Sequence, residues 1–189
     1  MKINFHLYKL LYSVIFFMFR LSSKILFVSV IIFSCNLFSD EVHLNEGQIA
    51  PDFTLLDQHG APHTLSLYKG KKVVIYFYPK DDTPGCTKEA CSIRDNYDDF
   101  TNQDIIVFGI SYDNSDTHQR FIQKYKLPFN LLSDSDKSVS ELYGTKGAFF
   151  PMRKTFLIDE FGKIVKIYDQ VSVLDHGSDI LLDFNRLKN

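Results

Sequence analysis

The run Val73-Val-Ile-Tyr-Phe-Tyr78, ended by Pro79 and followed closely by Thr83-Pro84-Gly85-Cys86, constrains this chain more than any other feature. Six consecutive β-branched and aromatic residues predict a buried strand, and the proline turns it into a loop. Thr83 then predicts a helix N-cap. Pro84 suits the first helical position, because its missing N–H would have no intrahelical partner there. Cys86 therefore falls in the first turn of a helix, where free backbone N–H groups and the positive end of the dipole favour an anion over a neutral thiol. A free thiol has a pKa of about 8.5, and a helix N-terminus lowers it. Most cysteines near helix starts are inert small hydrophobes. The crowding of Pro79, Thr83, Pro84 and Gly85 just before Cys86 argues otherwise, since punctuated loops after buried strands are where scaffolds present functional groups.

Beyond this unit the pattern alternates between strands and helices. Phe53–Asp57 and Leu65–Leu67 flank a His59-Gly60 turn and predict a small opening hairpin or an extended entry. Val73–Tyr78 and Ile105–Tyr112 are predicted core strands, with a helix over Cys86–Phe100 between them. Asp116–Tyr125 is predicted helical, with Phe121, Ile122 and Tyr125 on one face, and Pro128 ends it before the apolar run Phe129–Leu132. A short helix over Val139–Tyr143 stops at Gly144. Thr155–Ile158 and Ile164–Tyr168 bracket a hairpin-like turn, and Ile180–Leu187 closes the chain as an amphipathic helix. This order predicts one α/β domain with a mixed central sheet flanked by helices.

Residues 1–39 differ in kind from the rest. They hold four basic residues, Lys2, Lys9, Arg20 and Lys24, no acidic one, and long apolar runs. The chain therefore divides into a signal peptide or membrane anchor over 1–39 and a globular domain over 40–189. Leu10–Phe19 and Ile25–Phe38 are each shorter than the roughly 20 apolar residues a spanning helix needs. A start at Met18 would give a basic segment, an apolar core and then Ser34-Cys35, which is signal-peptide anatomy. Ile32-Phe-Ser-Cys35 resembles a bacterial lipoprotein box. Lipid attachment at Cys35, cleavage near Ser39 and an uncleaved anchor are the three alternatives. Each makes the protein exported, in the periplasm or held at the membrane, with membrane association through this segment alone. Without these 39 residues the net charge is −6, and an acidic body argues against nucleic-acid binding.

Of three cysteines, Cys86 and Cys91 lie in the globular part. Two cysteines do not make a disulfide scaffold, and the pair reads as catalytic. Cys-x4-Cys lacks the further ligands a structural zinc needs, and the six histidines show no metal-site spacing, so no metal or cofactor is expected. Asp81 and Asp82, adjacent in a loop, read as solvated charges.

The segment Tyr78-Pro-Lys-Asp-Asp-Thr-Pro-Gly-Cys-Thr-Lys-Glu-Ala-Cys-Ser-Ile-Arg-Asp95 resembles the active-site segment of the peroxiredoxins, in particular the bacterioferritin-comigratory (PrxQ-type) subfamily. Pro79, Thr83 and Cys86 match its Pro-x-x-x-Thr-x-x-Cys pattern, and a second cysteine five residues on, at Cys91, marks the subfamily. Similarity runs from about Asn45 to the C-terminus, including Ala50-Pro-Asp-Phe-Thr-Leu55 and Arg153-Lys-Thr-Phe-Leu-Ile-Asp159. The resemblance implies a thioredoxin-like fold and a thiol-dependent peroxidase acting on hydrogen peroxide and organic hydroperoxides. It implies that Cys86 attacks the peroxide, Thr83 orients thiolate and substrate, Pro79 shields the site and Arg153 stabilises negative charge. It further implies that Cys91 resolves the oxidised sulfur as a Cys86–Cys91 disulfide, that thioredoxin or a thioredoxin-like donor recycles the enzyme, and that the protein is a monomer. Glu89 and Arg94 lie in the matched segment as supporting residues. Two other functions fit an anchored thioredoxin-like chain: an exported thiol-disulfide oxidoreductase, which should carry Cys-x-x-Cys, and a non-enzymatic redox sensor.

Overall fold

The structure, a computed structural model, describes residues 42–187. The stretch expected to be a signal peptide or anchor, Cys35 and the expected boundary at residue 40 lie outside them. Seven strands form one sheet: β1 (Thr54–Asp57), β2 (Pro62–Thr64), β3 (Lys72–Phe77), β4 (Ile105–Ser111), β5 (Asn130–Ser133), β6 (Lys154–Ile158) and β7 (Ile164–Tyr168). Their order is β2-β1-β5-β4-β3-β6-β7. The central strands β3, β4 and β5 run parallel, while β6 and β7 on one flank and β1 and β2 on the other are antiparallel. Five helices accompany them among the described residues: α1 (Pro84–Asp95), α2 (Tyr97–Asn102), α3 (Ser115–Tyr125), α4 (Ser138–Leu142) and α5 (His176–Arg186). This is the mixed α/β sheet that the strand and helix pattern predicts.

The central strand β3 is buried along its whole length. Alternate side chains serve two cores: Val74, Tyr76 and Tyr78 pack with Ala90, Ile93, Phe121 and Phe184 of the helices, while Val73, Ile75 and Phe77 pack with Phe108, Val139, Tyr143 and Phe156. A strand covered on both faces needs a continuous apolar run, which is why Val73–Tyr78 does not alternate with polar residues. Cys86 belongs to the first of these cores.

Three expected elements come out differently. The opening hairpin pairs β1 with Pro62–Thr64, and Leu65–Tyr68 is a single 3-10 turn in place of the expected extended segment. The helix expected over Cys86–Phe100 is two helices, broken at Asn96. The Asn96 side-chain amide donates to the Ser92 carbonyl at 2.8 Å, occupying an acceptor at the end of α1. The last helix starts at His176, four residues earlier than expected, and Gly177 in its first turn lies against Ser92 of α1.

Candidate active site

The end of β3 delivers the chain into the loop 79–83, and α1 begins at Pro84. Cys86 is thus the third helical residue, in the first turn, as predicted. Its side chain is 1% exposed. Thr83 holds the N-cap position with extended backbone, and its carbonyl accepts from the Thr87 N–H at 2.8 Å. The expected side-chain cap is not made: the Thr83 hydroxyl turns back and donates to the Lys80 carbonyl at 3.1 Å. The backbone of α1 therefore starts without help from the threonine oxygen, which leaves that hydroxyl facing the loop. Pro79 is half-buried at the strand end.

Arg153, immediately before β6, reaches the same point from the neighbouring strand. Its Nη2 lies 3.2 Å from Cys86 Sγ, and its Nη1 donates to Oε2 of Glu89, one turn further along α1. The two arms of one guanidinium fork thus hold the sulfur and a carboxylate at once. Burial works against the Arg153 charge, but Glu89 and the Cys86 sulfur outweigh it and push the group above its ordinary value. Glu89 is fully buried. Desolvation raises its carboxyl to about 7 against the opposing pull of Arg153. Behind Glu89 sits His176, also fully buried, with Nε2 2.8 Å from the Thr155 hydroxyl and 3.9 Å from Glu89 Oε1. Burial, and then the nearby Arg153 charge, depress His176 to about 4, so it is neutral at physiological pH.

Cys91 is partly exposed, and both thiols are free. In an intact helix, five residues separate two side chains by about 7.5 Å along the axis and about 140° around it. A disulfide needs Cα atoms within about 7 Å and converging side chains. The described α1 is therefore a reduced, wound form. Arg94 donates to Asp95 and to the Tyr125 carbonyl at the end of α3, and its charge is favoured first by Asp95 and also by the neighbouring Cys91.

Of the two loop carboxylates, Asp82 is exposed as adjacency in a loop suggests, and Asp81 is not. Asp81 is buried, accepts from the Tyr78 hydroxyl at 2.6 Å and lies 2.8 Å from His118 Nδ1. Asp82 adopts φ +56° and accepts from Lys124 and the Tyr125 hydroxyl. A sequence signal for this existed. His118 shares the face of α3 that carries Phe121, Ile122 and Tyr125, at i, i+3, i+4 and i+7, and a histidine on an apolar face requires a buried partner. His176 likewise opens the buried stripe continued by Ile180 and Phe184.

The profile of the AhpC/TSA family matches residues 47–167. A putative peroxiredoxin bcp of Coxiella burnetii is 48% identical over 143 residues, covering 71% of this chain and 95% of that protein. The chloroplastic peroxiredoxin Q of Sedum lineare is 46% identical over 129 residues, covering 67% of this chain and 69% of that protein. Among solved structures, the peroxidoxin BcpB of Mycobacterium tuberculosis superposes with a TM-score of 0.73 at 32% identity, covering 78% of this chain and 100% of that one. A bacterioferritin comigratory protein of Xanthomonas campestris, studied for alkyl peroxide reduction, gives 0.71 at 27% identity, covering 77% of this chain and 100% of that one. A buried cysteine at a helix start, faced by an arginine on a thioredoxin-like sheet, thus coincides with sequence similarity across the domain, and the chain belongs to the AhpC/TSA family, in its PrxQ-type (bacterioferritin-comigratory) branch of thiol peroxidases.

Proposed function

We propose that Cys86 is the peroxidatic residue of this thiol peroxidase and Cys91 its resolving partner. The observation that carries the reading is the Arg153 guanidinium at 3.2 Å from Cys86 Sγ, at the start of α1. A permanently charged donor at that distance stabilises negative charge on sulfur, and then on the oxygen of the bond being broken. The Cys86 thiolate attacks the terminal oxygen of ROOH. The O–O bond breaks, RO⁻ leaves and takes a proton to become ROH, and the sulfur is oxidised to a sulfenic acid. Thr83 orients the peroxide with its hydroxyl, Pro79 keeps water from the sulfur, and Glu89 holds the guanidinium in line.

In the second step the Cys91 thiol attacks the sulfenic sulfur, water departs, and a Cys86–Cys91 disulfide forms. The spacing in the wound helix forbids this bond, so the first turns of α1 unwind between the two steps. A dithiol of thioredoxin type then opens the disulfide by exchange. Residues 1–39 export the domain, which places that donor, or a relay to it, on the same side of the membrane. The domain acts as a monomer.

Anaerobic titration with one equivalent of hydrogen peroxide, followed by thiol counting and peptide mapping, tests this. The expected result is loss of two thiols and a linked peptide pair containing Cys86 and Cys91. Cys86→Ser should abolish peroxide consumption, and Cys91→Ser should keep one oxidation event and lose recycling. A Cys86→Ser protein with full turnover refutes the assignment. Mass spectrometry of the mature N-terminus tests export: an intact, unmodified Met1 would exclude cleavage and lipidation together.

A further inference from the structure

The loop that carries Thr83 is tied down by a buried polar cluster that the reaction above does not use. Asp81 Oδ1 accepts from the Tyr78 hydroxyl at 2.6 Å, and Asp81 Oδ2 lies 2.8 Å from His118 Nδ1. Tyr78 and His118 are both fully buried, and Asp81 is 8% exposed. The Asp81 backbone N–H donates to Asp113 Oδ2 at 2.8 Å, past the end of β4. Nδ1 is the ring nitrogen that faces the Asp81 carboxylate and donates to it, and Nε2 has no hydrogen-bond partner among the described residues. One residue on, Asp82 joins Lys124 and Tyr125 at the surface. The exposed pair is screened and weak, whereas breaking the buried one strands charged and polar groups away from water.

The cluster sits where it governs Thr83. The Thr83 hydroxyl donates to the Lys80 carbonyl, and Asp81 is the next residue after that carbonyl. The orientation of the hydroxyl is therefore inherited from the backbone that Asp81 fixes. Beyond Cys86, the second half of α1 is held separately: Ser92 Oγ accepts from the Gly177 N–H at 3.0 Å, Arg94 donates to the Tyr125 carbonyl, and Ala90 and Ile93 are fully buried. The stretch between these two anchorages, from Thr83 to about Glu89, is the part free to unwind.

We infer that Tyr78, Asp81 and His118 are positioning residues for the peroxidase reaction: they clamp the loop 79–83 to α3 and hold Thr83 in register with Cys86. This rests on Cys86 being the peroxidatic residue. The clamp acts on the first chemical step, which needs the aligned hydroxyl. It does not act on disulfide closure, which needs the helix undone.

The test is stopped-flow oxidation by hydrogen peroxide of His118→Phe, His118→Asn, Asp81→Asn and Tyr78→Phe, each with Cys91 intact and in the Cys91→Ser background. An asparagine amide takes the place of Nδ1 and keeps its donor; phenylalanine does not. His118→Phe and Asp81→Asn are expected to slow Cys86 oxidation by about tenfold or more, with the slowing in the rate constant and the reactive fraction unchanged. His118→Asn should return it to within about threefold of the native rate, and disulfide closure should change by less than about twofold in all four variants. Thermal melts identify any variant that fails to fold, and Tyr78→Phe, which loses a single hydroxyl, stands in for it. Native oxidation rates in the folded variants overturn the clamp, as does equal slowing in His118→Phe and His118→Asn. If the native protein itself leaves Cys86 unoxidised by equimolar peroxide, the peroxidatic assignment fails first, and that result is separate from either of these.

Discussion

Glu89 makes the winding of α1 depend on pH. The residue lies between Cys86 and Cys91, fully buried, with one carboxylate oxygen on Arg153 and the other, Oε1, without a hydrogen-bond partner among the described residues. Desolvation raises its carboxyl from 4.5 to about 7 in the wound helix, against the opposing effect of Arg153. In an unwound segment the group meets water and returns to its ordinary value. A folded-state value above the unfolded one gives a contribution fully present below about pH 4.5 and lost as pH rises through about 7. The difference corresponds to about 3 kcal/mol, or roughly three-hundredfold at its limit in the balance between wound and unwound α1. Alkaline conditions thus favour the unwound form that the proposed disulfide requires.

Global denaturation is a poor probe of this effect, because His176 opposes it. Its value is depressed to about 4, so its contribution is present above about pH 6.5 and lost as pH falls toward 4. His176 lies on α5 and stays buried when only the start of α1 opens. Hydrogen exchange across residues 84–90 of the reduced protein, corrected for intrinsic rates, reads the local event. Its opening free energy should fall by about 3 kcal/mol from pH 4.5 to 8 in the native protein and stay nearly level in Glu89→Gln. An opening free energy that is independent of pH in the native protein, or that falls equally in Glu89→Gln, would falsify the coupling.

Arg153→Met should cut the second-order rate of Cys86 oxidation by about a hundredfold, and Arg153→Lys should recover little, since one ammonium cannot reproduce the fork that serves both Cys86 and Glu89. Competition kinetics against a peroxide probe checks this. Thr83→Val should lower the peroxidase rate while changing stability in guanidinium by no more than about 1 kcal/mol, because only the exposed bond to the Lys80 carbonyl is lost and no side-chain cap. Gly177→Ala should destabilise the domain by about 3 kcal/mol or prevent folding, since its Cβ would lie 2.3 Å from the backbone oxygen of Ser92. Equilibrium unfolding measures it.

The site was legible wherever it is local in sequence. Cys86 and Cys91 read as a pair from the residues themselves, with Pro79 as the strand end and Thr83 as the cap, while the site roles of Thr83, Pro79 and Arg153 come from the resemblance. Thr83 was right in place and different in action, because the choice between capping the helix and bonding the Lys80 carbonyl depends on the loop path. Asp81 was misread for the same kind of reason. Adjacent carboxylates in a loop are solvated unless something distant covers them, and here His118, 37 residues later, does.

The sequence by itself determined the order of strands and helices, the doubly buried β3 and the position of a thiol in the first turn of α1, because these follow from local propensity, hydrophobic periodicity and cap chemistry. Only the tertiary structure decided what surrounds that thiol. Parallel pairing of β3 with β4 and antiparallel pairing with β6 bring Arg153, 67 residues away in the chain, onto the Cys86 sulfur. Packing of α5 on α1 buries Glu89 beside His176. Such contacts depend on burial and through-space charge, which act between residues that no local pattern connects.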